Sequence, residues 1–134
     1  MIEIKDIMIF IEEKLSEISA LPVYYEDIVR QKDGSIKLKS TNVVYNIEGG
    51  YKVTDIKVRR DIPIIIDLWY LKKDIFSVED LITKIDNEFS EEVVNIDGNI
   101  YKIFRDTIFY SNIPEQDETV GRKRLRYTIR KYSN

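Results

Sequence analysis

The stretch Asp61-Ile62-Pro63-Ile64-Ile65-Ile66-Asp67-Leu68-Trp69-Tyr70 decides the fold. Ile62, Ile64, Ile65, Ile66, Leu68 and Trp69 make it apolar on both faces of a strand. Such a strand belongs in the middle of a sheet, under helices or a second layer. Pro63 lacks an amide donor, so it is expected at the strand's entry, where a missing ladder bond is tolerated. Lys72-Lys73-Asp74 is a polar break. Ser77 is then expected to cap a helix carrying Glu79 and Asp80 in its first turn, with Leu81, Ile82, Ile85 and Phe89 on one helical face. A central strand, a short link and a helix folded back over it form the organising unit.

Upstream, Ile4, Ile7, Met8, Ile11, Leu15 and Ile18 recur at helical intervals, with Glu12, Glu13 and Glu17 opposite them, which predicts a helix over 2–18. Ser19-Ala20-Leu21-Pro22 ends it, because the residue before a proline is biased out of the helical region. Residues 23–30 read as a strand, 32–35 as a turn and 36–39 as an alternating strand. Val43 to Ile47 is the next strand, and Glu48-Gly49-Gly50 turns the chain into 51–58, giving a protruding hairpin around 43–60. Downstream, Val93 to Ile96 and Ile100 to Phe104 flank Asp97-Gly98, a strong hairpin signal because both positions tolerate positive φ. Thr107 to Ile113 continues as strand. From Val120 to Tyr132, Leu125, Tyr127 and Ile129 alternate with Arg124, Arg126, Thr128 and Arg130: one packed face and one basic face. These elements predict a single α+β domain over 1–134, two helices on one face of a mainly antiparallel or mixed sheet.

The chain has 134 residues, 43% of them hydrophobic and 34% charged, a composition suited to one core with a charged surface. It has no cysteine and no histidine. Disulfides, thiolate chemistry and imidazole-based zinc or acid–base sites are therefore excluded. Carboxylates are plentiful but unpaired by motif: Glu91-Glu92 and Glu115 to Glu118 read as loops, and Asp67 stands alone in its strand. Gly49-Gly50 lacks the lysine and helix of a phosphate loop. The expectation is a non-enzyme with no catalytic residues, cofactor or metal. The N-terminus has no signal-like apolar region, and the run 62–66 is too short to span a bilayer, so a soluble cytoplasmic protein is expected.

Net charge is -3, but it is banded. Residues 1–29 carry 2 basic and 7 acidic side chains, 30–60 carry 8 and 3, 61–121 carry 5 and 14, and 122–134 carry 6 and 0. Segregated charge suits pairing of identical subunits or docking on a charged partner. Two basic groups stand out: Lys52, Lys57, Arg59 and Arg60 in the hairpin, and Arg122, Lys123, Arg124, Arg126, Arg130 and Lys131 in the last strand. The second has three readings: contact with phosphates, an inter-subunit contact with the acidic 61–121 region, or an edge strand guarded by charge. A pI near 5.1 weighs against a dedicated nucleic-acid binder.

Three segments carry a likeness: Ile64-Ile65-Ile66-Asp67-Leu68-Trp69-Tyr70, Ser77-Val78-Glu79-Asp80-Leu81 and Arg124-Leu125-Arg126-Tyr127-Thr128-Ile129-Arg130. With a leading helix, a protruding hairpin and a late hairpin in this order, the chain resembles the tail terminator, or tail completion, proteins of long-tailed phages, prophages and phage-tail-like particles. The resemblance implies a small α+β subunit that forms a ring, typically a hexamer, on the last ring of the tail tube. It stops tube growth there and offers a surface to the head connector or collar, and in contractile tails to the sheath. DNA would pass through the ring only transiently. Implied partners are further copies of the chain, the tube protein and the connector, with no membrane; the implied location is the host cytoplasm, then the particle. Lys52, Lys57, Arg59, Arg60, Arg122, Arg124, Arg126 and Arg130 are the expected subunit or partner interface. The rival expectation is a non-enzymatic adaptor or nucleic-acid-associated module using the basic last strand.

Overall fold

The computed structural model describes residues 2–28, 38–47, 55–56 and 59–132, with side chains described for 4–28, 38–47 and 61–132. Helix α1 (Ile2–Ser19) buries Ile7, Ile11 and Leu15 completely, one turn apart, and leaves Glu12, Glu13 and Glu17 exposed. Its end is locally encoded. Ala20 takes a left-handed conformation (φ 54°) and donates its amide to Ser16 at 2.9 Å, while the Ser19 hydroxyl accepts the Leu21 amide at 3.2 Å. Those bonds satisfy groups a helix end otherwise leaves open.

Strand β1 (Val23–Tyr25) is shorter than the expected 23–30. Glu26 adopts φ 72° and bonds back to Tyr45, and the Asp27 carboxylate accepts the Ile28 amide, so the chain bends away after three residues. The expected turn at 32–35 and residues 36–37 of the strand expected at 36–39 lie outside the described residues. Leu38 to Ser40 are not strand. Strand β2 (Asn42–Ile47) runs parallel to β1. Of the expected hairpin arm at 51–58, Asp55–Ile56 forms β3, and 51–54 and 57–58 lie outside the described residues. Strand β4 (Arg59–Leu71) is the predicted central strand, 13 residues long, paired with β2 on one side and β7 (Val120–Tyr132) on the other.

Pro63 is not at its entry; the strand begins four residues earlier and the ladder with β7 runs through Pro63↔Thr128. On the other side the pairing with β2 ends at Ile47↔Ile64. A proline nitrogen directed toward that side removes no bond from the β7 ladder.

A 3-10 turn (Lys72–Asp74) leads directly into α2 (Ile75–Phe89), which buries Val78, Leu81, Ile82, Ile85 and Phe89. Ser77 therefore lies inside the helix and caps nothing. The chain leaves β4 already coiling, the Ile75 amide bonding Lys72, so the helix starts two residues before the serine. Strand β5 (Val93–Ile96) joins β6 (Asn99–Asn112) through Asp97 (φ 51°) and Gly98 (φ 83°), the predicted tight turn. The two strands expected at 100–104 and 107–113 are one, with a bulge between Arg105 and Tyr110.

The sheet order is β1-β2-β4-β7-β6-β5, with β3 pairing β4. The fold is α+β: two helices on one face of a mixed sheet, as the patterning requires. The core lies between them, where Ile62, Ile64, Ile66 and Leu68 of β4 meet Tyr45, Leu125, Tyr127 and Ile129. Each such side chain stabilises by about 1.5–3 kcal/mol relative to exposure. Two polar groups on α2 anchor it to the sheet. Asp86 accepts the Tyr127 hydroxyl at 2.9 Å and pairs with Arg105, and Glu79 accepts the Tyr110 hydroxyl at 2.8 Å and pairs with the buried Lys123 at 3.2 Å.

Candidate functional site

Both helices cover the same face, so the other face of the sheet is where the odd-numbered residues of β4 point. It is not dry, contrary to the expectation of two apolar faces. Trp69 is buried there in a small second cluster with Val44, Ile28 and Val120, but Ile65 is partly exposed and two carboxylates, Asp61 and Asp67, share the surface. Strand alternation and the β4–β7 register place Arg130 beside Asp61, Thr128 beside Pro63, Arg126 beside Ile65, Arg124 beside Asp67 and Arg122 beside Trp69.

Asp67 is 5% exposed, and an unpaired carboxylate there would cost several kcal/mol. It accepts from Arg124 Nε at 2.8 Å and Nη2 at 3.0 Å, and from Arg122 Nε at 3.1 Å and Nη2 at 2.7 Å. Forked guanidinium–carboxylate geometry of this kind is the strong form of an ion pair. Arg122 also reaches Glu115 at 3.3 Å and lies over the Trp69 ring at 4.5 Å. At the far end Arg130 pairs with Asp61 at 2.7 and 3.2 Å and stacks on Phe104 at 4.8 Å. The hydrogen bond to Asp61 holds the Arg130 guanidinium above its ordinary pKa. Between these two clusters, Thr128 donates to Asp106.

Arg126 lies in the gap. It has no ion-pair or hydrogen-bond partner among the described residues, and Ile65 is its cross-strand neighbour. Arg122, Arg124 and Arg130 are balanced by Asp67, Glu115 and Asp61; the unmatched positive charge of this row is Arg126.

The structure thus brings together four of the expected interface residues, Arg122, Arg124, Arg126 and Arg130. Lys123 is excluded from their face: its amine bonds Asn112 at 2.7 Å on the helix side. Lys131, in register with the buried Tyr101, belongs to that side too. Six basic residues in one strand cannot share a face of period two. The reading of this segment as a charge-guarded edge is also corrected, since β7 is paired along both sides, by β4 and β6. Arg59 and Arg60 open β4, opposite Tyr132 and Lys131 in the ladder. Lys52 and Lys57 lie outside the described residues.

Asp61 and Asp67 are the ion-pair partners of this row, which the sequence reading did not connect with the arginines. A signal existed: the two acids are six residues apart in one strand, and Arg124 and Arg130 are six apart in another. A single antiparallel register pairs both, and it is the register found.

Among the described residues, no group of three carboxylates stands close enough to hold a metal ion, and no helix is long and apolar enough to cross a membrane. No family model and no curated protein matches the chain. A solved structure whose name carries no statement of role superposes with a TM-score of 0.65 at 12% identity, over 97% of this chain and 96% of its own. That likeness establishes the fold alone, an α+β layer pair.

Proposed function

We propose that the chain is an assembly subunit of the tail-terminator kind. Copies close into a ring on the end of a phage or phage-tail-like tail tube and end tube growth. The ring then offers a surface to the head connector or collar, and to the sheath where the tail contracts. The observation that carries this reading is the arginine row on the sheet face away from the helices. Its charges are locked in place by in-register ion pairs, with one unmatched guanidinium, Arg126, set beside partly exposed Ile65. A rigid, pre-paired surface of this type loses little side-chain entropy on docking and selects its partner by charge. The element order that carries the resemblance is also the order of the fold: α1, the β2–β4 region with β3, the central strand, α2, the β5–β6 hairpin and the arginine-rich β7.

The rival reading, a nucleic-acid module on the same strand, is weakened by the pairing. Three of the four arginines are engaged by carboxylates and would have to leave them to contact phosphate. The test is co-sedimentation of the purified chain with assembled tail tubes from the same source, with electron microscopy of the tube ends and a duplex-DNA titration across salt in parallel. End-capping supports the reading. Salt-steep DNA affinity without tube binding would replace it with the rival.

A further inference from the structure

A cleft of about 410 Å³ opens where the end of α1 meets the start of α2, on the helix side of the sheet and away from the arginine row. Thr41, the residue before β2, lines it. The alternation that buries Val43 and Tyr45 under the helices turns Thr41 to the same side. Its side chain is only 9% exposed, yet its hydroxyl has no hydrogen-bond partner among the described residues. A buried hydroxyl left unpaired is costly, and native structures keep few of them.

The α2 wall repeats the pattern. Asp74 stands at the N-cap of the helix without making a capping bond. Ser77, Asp80 and Lys84 continue along that wall, and the side chains of all four are without an ion-pair or hydrogen-bond partner among the described residues. Ser19, across the cleft, is already engaged: its hydroxyl donates to the Leu15 carbonyl at 2.7 Å and accepts the Leu21 amide at 3.2 Å. Ile18 and Leu21, both half-buried, supply apolar surface beside these polar groups.

The spread of the polar groups selects the ligand. Asp74 and Asp80 are six residues apart on one helix, about 9 Å along its axis, so they do not converge on one cation. One lysine and no arginine line the cleft against two carboxylates, which disfavours phosphate or any other anion. From Asp74 to Lys84 the acceptors and donors extend over about 15 Å. Carboxylates, hydroxyls and an amine strung beside apolar surface match a neutral molecule that carries hydroxyls along its length and C–H groups between them.

We infer that the α1–α2 cleft binds a neutral saccharide of one or two rings. The Thr41 hydroxyl meets it at the floor, and Asp74, Ser77, Asp80 and Lys84 bond its hydroxyls along the wall. The test is two-dimensional amide NMR of the full chain, titrated with glucose, N-acetylglucosamine, cellobiose and lactose. Arginine methyl ester and inorganic phosphate serve as the competing chemistries. A saccharide should move the amides of Thr41, Ser77 and Leu81 saturably, with a dissociation constant of about 1 mM. Ser77→Ala and Asp80→Ala should each weaken it at least about fivefold, the worth of one hydrogen bond. Thr41→Val should abolish binding and leave the urea midpoint unchanged or raised, since it removes a hydroxyl that has no internal partner.

Amides that no saccharide of the panel moves at about 100 mM overturn the site. Amides that move with the arginine ester or with phosphate, and not with a saccharide, give the cleft to a charged group and overturn it as well. A Thr41→Val variant with a lowered midpoint places that hydroxyl in an internal bond and removes the floor of the site.

Discussion

Asp67 and Arg124 face each other across the β4–β7 ladder and share a forked pair of bonds, 2.8 and 3.0 Å long, with Arg122 closing on the same carboxylate from the next position. The carboxylate is nearly sealed from water, whereas the two arginine side chains remain 20% and 22% exposed. The buried member has most to lose. Asp67→Asn should destabilise the fold by about 3 kcal/mol, since it leaves two guanidinium groups facing a neutral amide. Urea denaturation at neutral pH measures this; a loss below about 1 kcal/mol would mean that the pair is screened like an ordinary surface bridge.

Arg126 should behave in the opposite way. With no partner among the described residues, Arg126→Glu should alter stability by no more than about 0.5 kcal/mol. Under the proposed function the same change should weaken binding to tail tubes, because it reverses the unmatched charge of the arginine row. A variant that unfolds, or one that caps as the parent does, would remove Arg126 from the docking surface.

The buried tyrosines set an alkaline limit. Burial first, and then the Asp86 carboxylate that accepts its proton, hold the Tyr127 hydroxyl above its ordinary pKa; burial and Glu12 do the same for Tyr45. A raised folded-state pKa gives stability that is whole below the unfolded value, about pH 10, and is lost as pH rises toward the folded value. The urea midpoint should therefore hold steady up to about pH 9 and fall beyond it, and Tyr127→Phe together with Tyr45→Phe should flatten that fall. An unchanged alkaline slope in the double variant would contradict the assignment. At neutral pH, Tyr127→Phe alone should cost about 1 kcal/mol, the net value of one hydrogen bond.

Gly121 marks a close approach. A methyl group built on it would penetrate the ring of Tyr70, its cross-strand neighbour in the β4–β7 ladder. Tyr70 is 6% exposed, so its ring has little room to move. Gly121→Ala should destabilise by about 1–3 kcal/mol, measurable as a lowered denaturation midpoint, and Tyr70→Leu should recover part of the loss. Additive losses in the double variant would show that the two positions do not clash.

Much of this architecture was legible in the chain because it depends on local rules. The apolar run at 62–69 placed β4, the three-and-four spacing placed α1, and Asp97-Gly98 placed the β5–β6 turn. What was not legible depends on neighbours distant in sequence. Ser77 is a good cap by composition, yet the coil that begins at Lys72 starts the helix before it. The last strand looks like a guarded edge until its two partners are known, since its charge satisfies Asp61 and Asp67 from 55 to 69 residues away. The break at Glu26 arises from a bond to Tyr45, which no local window contains. Of the site, the four arginines were found by alternation. Their acids were missed because each is an isolated residue in a hydrophobic strand.

Self-assembly is the claim on which the functional account stands. Multi-angle light scattering of the purified chain, alone and with tail-tube protein, at low and high salt, tests it most directly. The account predicts a closed oligomer, a fixed multiple of 15.9 kDa that forms or strengthens on the tube and loosens as salt rises. A mass of one subunit under every condition, with no tube-bound fraction, would contradict it.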